Sequence, residues 1–129
     1  MPKARQLTIS VPDRPGMLGE VGSALGEKKA NIRAFTAWVD GDRGSIRVVV
    51  DRLAAAKKVT AAHGWETTEE DVLEVALPDS PGSLGKIAQK LGKAGVNIRY
   101  AYIGSAGTAR RVNVYFGVSD LKSAMKAAR

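Results

Sequence analysis

The sequence predicts an α+β fold: two ferredoxin-like βαββαβ units in tandem, with antiparallel sheets, helices on one face, and a second unit lacking its last strand. Three observations carry this expectation. Asp13-Arg14-Pro15-Gly16-Met17-Leu18-Gly19 returns sixty-six residues later as Asp79-Ser80-Pro81-Gly82-Ser83-Leu84-Gly85. At the same offset Leu25-Gly26 recurs as Leu91-Gly92, and Asn31-Ile32-Arg33 as Asn97-Ile98-Arg99. Self-similarity at one fixed period marks a duplicated structural unit. Between these anchors the apolar pattern switches between the period of a strand and that of a helix, in the same order twice. The units are expected to span residues 1–70 and 71–129.

In the first unit, Leu7 to Val11 alternates apolar and polar residues, as a half-buried strand does. Pro15 and Gly16 stop it, and Asp13 is placed to act as a helix N-cap. Leu18, Val21, Ala24 and Leu25 follow helical spacing, with Glu20, Glu27 and Lys28 off that face. A second strand opens at Asn31 and runs to about Val39; residues 40–44 turn the chain, and Ile46 to Val50 is a β-branched third strand. Ala54 to about Ala62 reads as a helix closed by Gly64, and Trp65 to Thr68 as a fourth strand.

The second unit repeats the order. Val72 to Leu77 is its first strand, and Leu84, Ile87, Ala88 and Leu91 line its first helix. Asn97 to Ile103 and Val112 to Val118 form a hairpin, and Leu121 to Ala128 is the second helix. No counterpart of the strand at Trp65 follows it. Glu66, Glu69, Glu70 and Asp71 read as a solvated connection between the units. A split β-α-β order with right-handed crossovers gives a four-stranded antiparallel sheet with both helices on one face. Each unit alone would bury only about 60% of its unfolded surface, so the halves are expected to share packing.

Composition narrows the function classes. The chain has no cysteine and one histidine, His63, which excludes disulfides, thiol catalysis and a multi-histidine metal site within one chain. His63 reads as a solvated residue near a helix end. No apolar run approaches the roughly 20 residues of a membrane helix, and nothing resembles a signal peptide, so a cytoplasmic chain with no membrane partner is expected. The net charge of +7 is uneven: residues 80–129 hold nine Lys or Arg against one acid, Asp120, for a net +8. Such asymmetry favours an acidic partner.

The repeated loop carries the chemistry. Pro fixes φ, and Gly lets the backbone approach whatever sits above the turn. The following helix offers unpaired N–H groups near Gly16 to Leu18 and Gly82 to Leu84, and these donors with the helix dipole favour a carboxylate or phosphate. Asp13 or Asp79 can either cap its helix or accept hydrogen bonds from an ammonium group. Taken together, loop and helix can hold both ends of a free amino acid. Asn31 and Asn97 offer a donor and an acceptor at the start of the next strand, either to a ligand or to a local turn. The loop lacks the glycine pattern of a phosphate-binding P-loop or a dinucleotide fingerprint.

The pattern Asp-x-Pro-Gly-x-Leu-Gly, a helix with Leu25-Gly26, then Asn31-Ile32, resembles the ACT domain, a regulatory module that binds small molecules. Both units carry it, and Asn97-Ile98-Arg99-Tyr100-Ala101-Tyr102 is similar to stand-alone tandem members. The resemblance implies effector amino acids bound between the strand-helix loop of one unit and the strand-two asparagine of a neighbouring unit. It also implies side-by-side pairing of units, frequent homodimerisation and regulation of an enzyme in trans. With no histidine pair, no cysteine and no acid pair to place in a cleft, an enzyme is the weakest reading, and no cofactor or metal is expected. In serine-sensing relatives an asparagine stands where Asp13 and Asp79 stand here, and a histidine where Val11 and Leu77 stand, which argues against a serine-type site.

The ligand-binding set expected on these grounds is Asp13, Arg14, Pro15, Gly16, Met17, Leu18, Asn31 and Ile32 in the first unit. In the second it is Asp79, Ser80, Pro81, Gly82, Ser83, Leu84, Asn97 and Ile98. The expected function is that of a non-catalytic sensor or regulatory protein for an apolar free amino acid. The alternative is a nucleic-acid-binding or interaction adaptor working through the basic half. Lys86, Lys90 and Lys93 share one helix face, and Arg110 and Arg111 lie near Tyr100, Tyr102 and Tyr115. No RNP strand pattern or Gly-x-x-Gly loop accompanies them, so nucleic acid is disfavoured. Trp38 and Trp65 are expected to pack rather than to stack on a ligand.

Overall fold

A computed structural model of the chain describes residues 2–129. Ten elements follow in order: β1 (Lys3–Pro12), α1 (Met17–Glu27), β2 (Ile32–Asp40), β3 (Arg43–Val50), α2 (Leu53–Ala62), β4 (Glu66–Pro78), α3 (Ser83–Lys93), β5 (Ile98–Ser105), β6 (Arg111–Val118) and α4 (Leu121–Ala127). The tandem ferredoxin-like architecture is therefore present, with four helices over antiparallel strands. No helix among the described residues is long and apolar enough to cross a membrane.

The chain divides into two compact units. The first comprises Gln6–Glu70, and the second joins Asp71–Arg129 to the residues that open β1. In the first unit β3 lies between β2 and β1, with Leu7 opposite Val48 and Ile46 opposite both Ile9 and Ala37. Leu7, Ile9, Val11, Ile46, Val48 and Val50 then share one face, because alternate residues of paired strands point the same way. Val21, Ala24 and Leu25 of α1, with Ala56 and Val59 of α2, close over that face, and Trp65 packs against the cluster. Trp65 also stacks on His63, with ring centroids 4.3 Å apart, at the C-cap of α2.

In the second unit β6 lies between β5 and β4, and Leu73, Val114 and Phe116 meet Ile87, Leu91 and Ala124. The position of a fourth strand is filled from the other end of the chain. Glu74 N–H donates to the Pro2 carbonyl at 3.0 Å, and Asp71 forms ion pairs with Lys3 at 3.6 Å and Arg5 at 3.2 Å. The strand that the sequence omits after α4 is thus supplied by the opening residues of β1.

The duplication extends to backbone irregularities. A β-bulge falls between Ile32 and Ala34 in β2 and between Ile98 and Tyr100 in β5, the same positions at the sixty-six-residue offset. Each Asn-Ile-Arg segment thus carries one extra residue that bends the strand.

Several local expectations need correction. Asp13 and Asp79 do not cap their helices: the N-cap positions are Gly16 (φ +90°) and Gly82 (φ +87°), with no side-chain cap bond. Left-handed backbone at the helix start rules out any side-chain cap from that position, and glycine adopts it without a Cβ clash. The acidic stretch from Glu66 to Asp71 does join the two units, whose boundary falls between Glu70 and Asp71, but as strand rather than as a loop. It lies within one thirteen-residue strand, β4, where Glu69 pairs with Lys57 at 2.8 Å. The hairpin turn of the first unit is tighter than expected, since Asp40 and Arg43 already pair across it.

Candidate functional site

Each strand-helix loop lies at one end of its sheet. In the first unit Pro12 and Asp40 both pair with Arg43, so the ends of β1 and β2 converge on the residues that follow Pro12. Here a depression of about 250 Å³ is lined by Val11, Pro12, Asp13, Arg14, Met17, Leu18, Ala37, Trp38, Val39, Gly44, Ser45 and Ile46. Four of the sequence-predicted residues therefore meet in it. Pro15 and Gly16 shape the turn beside it without lining it. Met17 is buried at 5% exposure in the core, whereas Leu18 is 45% exposed.

Sequence reasoning missed the far wall, Ala37 to Val39 with Ser45. A signal was available: in a β-α-β-β order the end of strand two returns to the loop after strand one. Gly44 reports the same crowding, because a Cβ there would approach Val11 Cγ2 to 3.3 Å. Trp38 is half-buried with the Arg47 guanidinium 4.2 Å over its ring, and it presents an edge to the depression.

Electrostatics at the head of α1 are divided. Met17 N–H is occupied by the Arg14 carbonyl at 3.4 Å, and Glu20 N–H by the Gly16 carbonyl at 2.9 Å. The N–H groups of Leu18 and Gly19 have no intrahelical acceptor and remain donors for an anion. The Arg14 guanidinium is held by the Glu20 carboxylate at 3.1 Å, which neutralises one charge with the other. Asp13 is exposed at the rim.

Asn31 and Ile32 are not part of this depression. Ile32 pairs with Val50, seven residues along β3 from Arg43, which is about 24 Å of strand. Asn31 sits at that far end, where its N–H donates to Asp51 Oδ1 at 2.8 Å and its carbonyl accepts from Asp51 N–H at 3.2 Å. Asn97 makes the equivalent pair with Ser119, at 3.0 Å in both directions, beside the half-buried Ile98. No unit by itself joins its loop to its asparagine.

The second loop is built differently. Asp79 N–H donates to the Arg110 carbonyl at 2.7 Å, tying the loop to the β5–β6 hairpin, where Arg110 has φ +64°. Ser80 and Ser83 share a hydroxyl hydrogen bond of 3.0 Å. A depression of about 360 Å³ is lined by these serines and Pro81, together with Lys86, Ile87, Lys90 and Ala128. Val75 to Pro78 of β4 form its other wall, and no residue of the β5–β6 hairpin lines it. Asp79, Gly82, Leu84, Asn97 and Ile98 do not line it. Leu84, at 52% exposure, is the counterpart of Leu18.

The aromatic set suggested for nucleic acid is not available as a stacking surface. Tyr102 and Tyr115 are buried, with ring centroids 5.4 Å apart, and the half-buried Tyr100 stacks on Tyr102 over Gly117.

A duplicated βαββ unit with a Pro-Gly loop at the head of each first helix defines a tandem module of the ferredoxin-like class. The chain belongs to the ACT domain family, whose sequence pattern matches residues 5–62 and 72–123. Among curated proteins no sequence match is found. Among solved structures, protein BT0572 from Bacteroides thetaiotaomicron is similar with a TM-score of 0.86 at 26% identity, covering 98% of this chain and 86% of that one. The ligand-free regulatory subunit of aspartate kinase from Thermus thermophilus is similar with a TM-score of 0.70 at 22% identity, covering 98% and 89%. The corresponding subunit from Thermus flavus gives 0.60 at 21%, covering 99% and 91%. At these last two identities the likeness speaks for the fold.

Proposed function

We propose that this chain is a non-catalytic regulatory protein that binds a free, apolar amino acid. One observation carries the reading: the first-unit depression brings Asp13 to the head of α1 together with Leu18, Trp38 and Val39. Asp13 takes the ammonium, the N–H groups of Leu18 and Gly19 take the carboxylate, and the apolar wall takes the side chain. A volume of about 250 Å³ is below the roughly 300–1,000 Å³ of sites for drug-sized ligands, which suits a single amino acid. The similar structures include regulatory subunits of aspartate kinase, and a role in controlling an enzyme in trans is in keeping with them.

Because loop and asparagine lie at opposite ends of each unit, Asn31 and Asn97 complete a site only from a neighbouring unit, as in a homodimer. Occupancy then favours one arrangement of units over another, and that difference is the regulatory signal. The second loop, with Ser80, Ser83 and Lys86 where the first has Arg14, Met17 and Glu20, binds an amino acid differently if it binds one. A cytoplasmic setting, where free amino acids are sensed, fits this role.

Calorimetry of the full chain against each free amino acid tests the reading. An apolar amino acid is expected to bind, with affinity lost in Asp13→Ala and reduced in Trp38→Ala. No binder at millimolar concentration, or binding untouched by Asp13→Ala, overturns it.

A further inference from the structure

We propose that the helical face of the second unit docks an acidic, amphipathic segment of a partner protein. It does not rest on the ligand reading above, although Lys86 and Lys90 also line the second-loop depression. Six of the nine basic residues beyond residue 79 gather on this face: Lys86, Lys90 and Lys93 on α3, and Lys122, Lys126 and Arg129 on or just after α4. All six are exposed. Among the described residues none of them pairs with an Asp or Glu side chain, and Lys90 Nζ donates to the Arg129 main-chain oxygen at 3.3 Å. The single acid of the region, Asp120, is occupied in capping α4, where Ser123 donates to it from N–H at 3.1 Å and from Oγ at 2.6 Å.

The fold does not require this charge. At the sixty-six-residue offset, Lys86 and Lys93 of α3 stand where α1 has Glu20 and Glu27, on a helix of the same length. Lys86 in the first turn opposes the helix dipole, and Lys86 with Lys90 is a like-charge i, i+4 pair. Both choices cost stability in the free chain. An acidic partner would relieve both, and a one-signed field would also steer its approach.

Shape favours a protein segment as the occupant. Beside the cations runs a crease of about 440 Å³ whose apolar lining is Leu121 and Met125, rimmed by Lys3, Lys122, Lys126 and Arg129. A helix that lays an apolar stripe into a groove fits such a crease, and methionine adapts to the side chains that enter. Single-stranded nucleic acid needs exposed rings for stacking, and α3 and α4 contain no aromatic residue. An anionic membrane needs apolar side chains that protrude, whereas Leu121 and Met125 are half-buried.

The test is fluorescence anisotropy of the full chain with four probes. These are a labelled Glu-rich peptide with leucines at helical i, i+3, i+4 and i+7 spacing, a peptide of the same composition with that spacing scrambled, an oligothymidylate, and phosphatidylserine-containing vesicles. Binding to the amphipathic peptide is expected to exceed that to the scrambled one by about tenfold and to fall with salt. Lys86→Glu with Lys93→Glu copies the acids that α1 already carries, so folding is not at risk, and it should weaken the peptide by about tenfold or more. Met125→Ser should weaken the amphipathic peptide selectively. Absence of peptide binding overturns the proposal. So do equal affinities for the two peptides, tighter binding of oligothymidylate or vesicles, or unchanged affinity in the folded double variant.

Discussion

Gly16 and Gly82 hold φ near +90° at the heads of α1 and α3, and this single backbone choice decides what the neighbouring aspartates can do. Since the cap position is taken by a residue without a side chain, Asp13 is left at the rim of the depression. The motif was legible in the sequence, but its capping role was misread, because Asp and Gly are both good N-cap residues and spacing alone does not choose. The same backbone region recurs at Lys29 (φ +60°), where the matching residue of the second unit is Gly95 (φ +77°). A left-handed conformation costs a residue with a Cβ roughly 1–2 kcal/mol. Urea denaturation should therefore show Lys29→Gly stabilising the chain and Gly16→Ala destabilising it, each by about 1 kcal/mol. A Gly16→Ala variant as stable as the parent would contradict the assigned backbone.

At the scale of elements, the helices and β-branched strands followed from periodicity, while the continuity of β4 did not. Strands were expected at Trp65 to Thr68 and at Val72 to Leu77, but Glu69 to Asp71 between them carries no apolar alternation, so only the structure joins the two into one strand. The opening residues of β1 hide for a similar reason. Lys3 and Arg5 carry no apolar pattern, yet they open β1 and pair with Asp71, while Pro2 accepts from Glu74 N–H. The last helix, by contrast, advertises its start. Hydrogen bonds from the Ser123 side chain and then its N–H hold the Asp120 carboxyl below its ordinary value of 3.8. A carboxyl whose pKa is lowered by folding contributes stability above its unfolded value and loses it as pH falls through the folded one. Amide exchange at Ser123 should therefore be pH-independent in protection above about pH 5 and should accelerate, relative to its intrinsic rate, below about pH 4. Asp120→Asn keeps a good cap without the titration and should lack that acid limb.

On the scale of the whole molecule, completion of the second unit by residues from the far end of the chain makes its stability depend on both termini. Removal of residues 2–5 should uncover the β4 edge near Glu74, lower the denaturation midpoint and promote self-association, because an unpaired strand edge templates pairing. Light scattering and urea denaturation read both effects; a truncated chain with an unchanged oligomeric state and midpoint would show that these residues are dispensable. The sequence by itself determined the duplication, the helix faces, the hairpins and the two Pro-Gly loops, since each is written in local spacing and local backbone preference. Only tertiary structure decided which strand fills the gap in the second unit, that Trp38 and Val39 wall the first loop, and that Asn31 lies a full strand length from Asp13. Those are facts of pairing between distant segments. Pairing depends on which edges and faces remain open once every element has formed, and no short stretch of sequence contains that information.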